Sequence, residues 1–495
     1  MVYNELRCFL TTKFFVLKGK IMTGTLNKGN TENPLGVDKV SRLLRRFATP
    51  SVIAMMISAM YNIVDQIFIG QYVGISGNGA TNVAFPVTTI CIAISVLCGV
   101  GGSALFNIEQ GRGHKENSKT AMETALIVAF SLSTVYAVIA GFFSMPMMKF
   151  FGGSGQDLIY AHDYCKVLVF GIPFLVMGNV LSNFIRADGS PKFSMACMAV
   201  GAVVNIGLDA ILVPLMEKHH QMGMEGAALA TVVSQVISFV FAAGYLPRFK
   251  HVDFKLSKIS FKLKYAYKVC SLGMSNCVNQ LAILVVQITM TNQLRVYGLK
   301  EFGDALSESG VALAEIPKAA FGVVIKINSL LISFFVGMAQ GSQPIVSYNY
   351  GADKHYRSKQ TCLLSSFICF SVGLVGFILF QTIPETIISI MGSGDSEYTR
   401  FAVKTMRVFL SMIMCNGVQM TISNYFSAIG KPIKGVILSL VRQVVVIVPL
   451  LYVLPMKLGL DGVLYAAPIT DFVAFVLALG LIIFEFKNKS YKEHK

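Results

Sequence analysis

The chain has 495 residues, of which 54% are hydrophobic and only 14% charged, and its formal net charge is +16. Soluble domains carry roughly 25% charged residues, so this composition excludes an ordinary soluble domain and describes a chain immersed in lipid. The positive charge does not mark a nucleic-acid binder, because the basic residues lie in short clusters between apolar runs rather than along one stripe.

Residues 1–38 read as a cytoplasmic segment. Met1–Met22 is short, is interrupted by Arg7, Lys13 and Lys18 and lacks a small-residue cleavage site, so it is not a cleavable signal peptide, and Met22 could be the working start. Apolar stretches of about 20 residues, each enough to cross about 30 Å of hydrocarbon, then recur along the chain. They fall at 47–71, 83–106, 121–143, 164–185, 193–215, 226–246, 268–294, 313–337, 360–380, 402–426, 433–454 and 460–484. The fold class is therefore all-α integral membrane, with twelve spans. Alternate connections hold most of the lysine and arginine, namely 39–46, 112–119, 186–192, 247–268, 354–359, 431–434 and 487–495. By the positive-inside rule both termini and the 247–268 loop are cytoplasmic, as expected for a multi-pass protein of the cell (inner) membrane. Tyr72, Tyr160 and Tyr164 lie near span ends and are expected to be interfacial anchors, since the chain has no tryptophan.

The basic loop 247–268 separates an amino-terminal lobe, 39–246, from a carboxyl-terminal lobe, 269–484, followed by a tail, 485–495. It reads as a tether lying on anionic lipid, or else as a regulatory or partner site. The two lobes repeat. At an offset of 240, GGSALFNIEQGRGHKENSK (101–119) falls on GSQPIVSYNYGADKHYRSK (341–359), pairing Gly101 with Gly341 and Gly111 with Gly351. At 241, Ala187, Gly189 and Pro214 meet Ala428, Gly430 and Pro455. Six spans per half insert with one orientation, so the halves should be related by an axis along the membrane normal and rock about a cleft.

Carboxylates inside spans are costly and by default functional. Asp65, in YNIVDQIFIG (61–70), and Asp209, in NIGLD (205–209), reach similar depth when counted at about 1.5 Å per residue from the cytoplasmic side, so they could share one site. Asn205 is one turn from Asp209 on the same face, and Thr231 lies near the outer end of the sixth span. This oxygen-rich cluster suits a shared proton or a dehydrated Na⁺; a helix-locking hydrogen-bond network is the alternative. Pro50 removes a backbone donor in the first helix and is either a hinge or a helix-start proline. In the second half, Arg442 and Asp471 reach a common depth and read as a structural ion pair, whereas Lys326 is open to a substrate or coupling role. Gln280 and Asn416 are polar candidates for substrate contact, and the 24 methionines and 36 phenylalanines could line a deformable cavity. The ten cysteines include three pairs at i, i+7 (Cys91/Cys98, Cys270/Cys277, Cys362/Cys369), about 10 Å apart on a helix, so they cannot bridge and read as small apolar residues.

ENPLG (32–36), YNIVDQIFIG, RADGSP (186–191), NIGLD, GMEGAALAT (223–231), GSQPIVSYNYGA (341–352), SNYFSAIGKP (423–432) and LDGVLYAAPITD (460–471) stand in order along residues 32–484. Together they resemble the multidrug and toxic compound extrusion (MATE) transporters. The resemblance implies a monomeric antiporter, not an enzyme, that exports organic, often cationic, small molecules across the bilayer. It needs no cofactor beyond a coupling ion, H⁺ or Na⁺. It carries Asp65, Asp209, Asn205 and Thr231 over as the cation site, Asn179 as a matching position in the fourth helix set back from it, and Pro50 as the point where the first helix bends. Some members carry acids in helices 7 and 10, where this chain has only the amides Asn279, Gln280, Gln287, Asn416 and Gln419. A lipid-linked oligosaccharide flippase of the same superfamily is the runner-up, but it would be expected to line its cavity with several arginines. An intramembrane enzyme is a further rival, but Asp65 and Asp209 resemble an aspartyl dyad only in number, since neither lies in a GxGD sequence, and HExxH and GxSxG are absent.

Overall fold

The computed structural model describes residues 33–153, 155–220, 222–252, 260–303, 313, 316–391, 396–487 and 491. The reading of Met1–Met22, the middle of the basic loop and most of the tail lie outside these residues. Among the described residues the chain is helical and contains no strand. Eleven helices are long and apolar enough to cross a membrane, and a bent pair makes up to twelve. They are α1 Val40–Tyr72, α2 Ile75–Gly111, α3 Lys115–Phe142, α4 Gly155–Ala187, α5 Pro191–His220, α6 Gly223–Ala243, α7 Leu263–Phe302, α8 Ile316–Gly351 and α9 His355–Thr382. The tenth span, α10, is Ser396–Phe409 and Ile413–Ala428, bent by 47°; α11 is Pro432–Leu458 and α12 Leu460–Phe486.

Several helices run well past their apolar cores. α2 and α8 continue to Gly111 and Gly351, so the repeated glycine motifs finish helices rather than opening loops, and α7 begins at Leu263, inside the basic loop. α1 begins at Val40, which puts Pro50 in the helix interior and removes the helix-start reading. An interior proline deletes one i→i−4 hydrogen bond and weakens the helix there. α11 contains a turn of π-helix at Val441–Val446, a form that concentrates at functional sites. Exposed Phe142, Phe170, Phe367 and Phe484 stud the outer surfaces, as lipid-facing side chains do.

The lobes meet through α1 with α8 and through α2 with α7 and α8. The tightest approaches lie in the half of each helix nearest the basic loops, and glycine makes them. A Cβ at Gly273 would lie 2.6 Å from the carbonyl carbon of Leu97, and one at Gly337 would lie 2.5 Å from Val52 Cα. Gly101 abuts Val269, and Gly341 abuts Ala48. Gly101 and Gly341 are partners in the internal repeat, so the seam is built twice by the same sequence feature. Missing side chains let backbones touch, which is how helices associate in lipid without a hydrophobic drive. Gln343 Nε2 crosses the seam to Val100 O at 2.7 Å and to Ser103 Oγ at 3.3 Å.

The basic end carries further ties. The helical turn Pro34–Val37 is held by the second lobe: Asn349 Nδ2 donates to Leu35 O at 2.9 Å, Lys354 Nζ to Gly36 O at 3.1 Å, and Arg357 to Asp38 O. On the first lobe, buried Asp188 accepts from the amides of Lys250 and His251 and from the Tyr245 hydroxyl, which anchors the start of the basic loop. Arg186, which the sequence places among the loop charges, is instead fully buried near the end of α4. Its Nη1 donates to Asn183 Oδ1 at 3.3 Å and, across the seam, to Gln340 Oε1 at 2.9 Å.

Candidate functional site

α1 has two environments. Its first half, with Leu43, Leu44, Phe47 and Val52, packs into a core shared with Phe335, Met338 and Ile345 of α8. Its second half lies against α5 of the first lobe. There the Asp65 and Asp209 carboxyl groups come within hydrogen-bonding reach of each other. Asp209 and Asn205 are fully buried, and Asp65 is half-buried. Asp65 Oδ1, both Asp209 oxygens and both polar atoms of the Asn205 side chain are buried without a hydrogen-bond partner among the described residues. Two ionised carboxyl groups about 4 Å apart would repel by about 4 kcal/mol at an effective dielectric of about 20, and no lysine, arginine or histidine among the described residues pairs with either. The arrangement can hold a proton between the carboxyl groups, or a dehydrated cation among their oxygens and that of Asn205.

Thr231, half-buried on α6, is in hydrogen-bonding contact with Tyr164 of α4. Tyr164 is therefore not the interfacial anchor its place in the sequence suggests. It is buried inside the lobe, and it and Tyr61 are close enough to feel both carboxylates. Tyr61 is one turn before Asp65 on the same face of α1, a spacing that could have flagged it. Asn179 shows only a backbone link here, its carbonyl accepting from Asn183 Nδ2 at 2.9 Å.

In the second lobe, Arg442 Nε lies 2.8 Å from Asp471 Oδ1, both largely buried, with Arg442 on the π-turn of α11. Asn416 of α10 joins them through Asp471, and neighbouring Gln443 Nε2 reaches Asn279 Oδ1 of α7 at 3.4 Å. A cation is thus built into this lobe covalently, whereas no cation among the described residues lies beside the acids of the first lobe. Gln280 lines a cavity between the lobes together with Asn276, Asn279 and Gln419. Lys326 is exposed on α8 and joins neither cluster. The nine described cysteines are all free thiols. No group of three or more His, Cys, Asp or Glu that could hold a metal ion occurs among the described residues.

Comparison with known proteins places this architecture. The MatE family model matches residues 50–211 and 312–453, one block in each lobe. The chain is 24% identical over 464 residues to the multidrug export protein MepA of Staphylococcus haemolyticus, covering 91% of this chain and 94% of that protein. It is likewise 24% identical over 442 residues to the FAD transporter of Shewanella oneidensis, covering 87% and 92%. Among solved structures, the MATE multidrug transporter DinF-BH in complex with rhodamine 6G superposes with a TM-score of 0.81 at 28% identity, covering 94% of this chain and 99% of that one. A family model matched in both halves of a chain with eleven to twelve membrane-crossing helices leads to one conclusion: the chain belongs to the MATE family of membrane transporters.

Proposed function

We propose that this transporter is a secondary-active antiporter that exports organic, mainly cationic, compounds in exchange for H⁺ or Na⁺ by alternating access of its two lobes. The observation that carries this reading is the pair of facing carboxyl groups of Asp65 on α1, the helix that also forms the seam, and Asp209 on α5, three of whose oxygens are buried without a donor. An incoming ion supplies the missing positive charge and lets the carboxyl groups close on it. α1 runs from this site to Val52 and Ala48, where Gly337 and Gly341 of α8 press against it. Pro50 lies between those two contacts, at the point where α1 lacks a backbone hydrogen bond. Ion binding at Asp65 can therefore bend α1 about Pro50 and loosen the seam, with Asn205 and Thr231 as further ligands and Asn179 behind them. Arg442 and Asp471 act as a fixed structural pair, and Lys326 is left for substrate.

With the basic loops placed in the cytoplasm, the tight seam closes the cytoplasmic side. The multidrug export named for the MepA relative and the rhodamine held by DinF-BH support small organic substrates, and the protein is read as a monomer in the cell membrane. The flippase alternative is disfavoured because the cavity between the lobes is lined by amides, with no arginine or lysine. The test is efflux of the same rhodamine dye from cells with and without the protein, under separately imposed proton and sodium gradients. Faster efflux with one gradient supports the proposal; efflux equal to that of cells lacking the protein rejects it.

A further inference from the structure

Lys326 stands near the middle of the apolar stretch 313–337, and among the described residues it forms no ion pair. Its place on α8 shows what it faces. Gly337 is eleven residues further on, three helical turns, so the two positions are only about 20° apart around the helix. Gly337 and Gly341 press on Val52 and Ala48 of α1, while Gln343, about 100° round on the other side of Lys326, bonds to Val100 of α2. Lys326 therefore points between α1 and α2, into the space between the lobes. The far side of the helix, with Ala320, Val324 and Leu331, packs into the second lobe's own core.

The same contacts set its level. α1 and α8 run antiparallel, Ala48 beside Gly341 and Val52 beside Gly337, so the register continues to Ile63 opposite Lys326. Ile63 and Asp65, two residues apart, point to opposite sides of α1, which turns the acid toward Asp209 and away from Lys326. Exposed Met56, Met60 and Ile67 lie on the Ile63 side. Exposed Phe85 of α2, three turns further from the basic end than the cavity-lining Val96 and on the same face, reaches this level too. The cleft at this depth thus sets one ammonium among a phenyl ring and methionines.

We propose that Lys326 is a specificity-determining contact that takes a carboxylate of the cargo, so that the preferred cargo is an aromatic organic cation that also carries a carboxylate. The ring system lies against Phe85 and the methionines. The Lys326 ammonium donates charge-assisted hydrogen bonds to the carboxylate, which are roughly twice as strong as neutral ones. A cation without such an arm meets like charge here and binds more weakly. A lipid phosphate stays too shallow to compete, because the hydrocarbon core is about 30 Å thick and Lys326 is near the middle of its span. As a statement about cargo this rests on the export reading; the binding of a carboxylate does not.

The experiment compares rhodamine 6G, an ethyl ester, with its free acid, which has the same cationic ring system and an exposed carboxylate. Binding of each dye to the purified full-length protein in nanodiscs is read by fluorescence polarisation against empty nanodiscs. The expected result is that the wild type binds the free acid at least ten-fold more tightly than the ester. Lys326→Met should abolish this preference with an unchanged melting curve, and Lys326→Arg should keep it. If Lys326→Met fails to fold, the comparison of the two dyes on the wild-type chain still decides. Equal binding of both dyes by the wild type, a preference that survives in Lys326→Met, or binding of neither dye overturns the proposal. Efflux of both dyes by the wild type is measured in parallel. A free-acid preference without efflux would keep the contact and sink the export reading, and efflux of both dyes without a preference would do the reverse.

Discussion

Gly273→Ala is the sharpest perturbation of the seam between the lobes. The added Cβ would lie 2.6 Å from the carbonyl carbon of Leu97, where ordinary contact begins at 3.4 Å. Two long helices must therefore part by about 1 Å, because the obstruction is backbone and has no rotamer to move. Overpacking of this kind costs about 1–3 kcal/mol, and it falls only on the state in which the seam is closed. The open state should gain about 5- to 150-fold in relative population. Cys98 is a native reporter, fully buried on α2 against Cys270 and Cys277 of α7. Its alkylation by N-ethylmaleimide, read by mass spectrometry, should speed up by that factor in Gly273→Ala. Gly322→Ala, where a Cβ meets nothing within 4 Å, should leave the rate unchanged. An unchanged Cys98 rate in Gly273→Ala would refute the view that glycine packing holds the lobes closed.

Other consequences follow from the same geometry. Arg442→Leu strands buried Asp471 and should cost about 3–5 kcal/mol of stability, most of it recovered in the Arg442→Leu/Asp471→Leu double variant; thermal denaturation of all three proteins checks this. Tyr164→Phe removes the hydroxyl that meets Thr231, so apparent affinity for the coupling ion should fall by roughly five-fold, about 1 kcal/mol, with substrate affinity unaltered in ion titrations of transport. Pro50→Ala restores the missing donor inside α1 and should slow turnover while leaving ion affinity as it was, because the ligands are untouched. Equal losses of both quantities would argue against a hinge.

Topology is legible because it is written in one dimension: hydropathy marks the spans, and the shared 240-residue offset reveals the duplication. The acids are legible because Asp65 and Asp209 violate the local rule that lipid-spanning helices are uncharged. What escapes depends on which face packs. Arg186 opens the RADGSP motif and reads as a loop charge, yet α4 reaches Ala187 and carries it into the interior. Distance from a span end puts Tyr164 at an interface. Its buried stripe of Ala161, Tyr164, Cys165 and Leu168, at helical spacing, is the available signal. The bend of α10 between Phe409 and Ile413 has no Pro or Gly to announce it, since the intervening residues are Leu410, Ser411 and Met412. Gly101 and Gly341 read as repeat markers in the sequence, but only the fold shows that each faces the opposite lobe, as Gly273 and Gly337 also do.

The central claim is that the Asp65–Asp209 pair carries the coupling ion. Its most direct measurement is gradient-driven transport of the rhodamine dye in proteoliposomes, with a proton or a sodium gradient imposed alone, for the wild type, Asp65→Asn and Asp209→Asn. The account predicts that one gradient drives uphill transport by the wild type, and that either variant loses this response while still equilibrating the dye down its own gradient. Uphill transport that persists at the wild-type rate in both variants would contradict it.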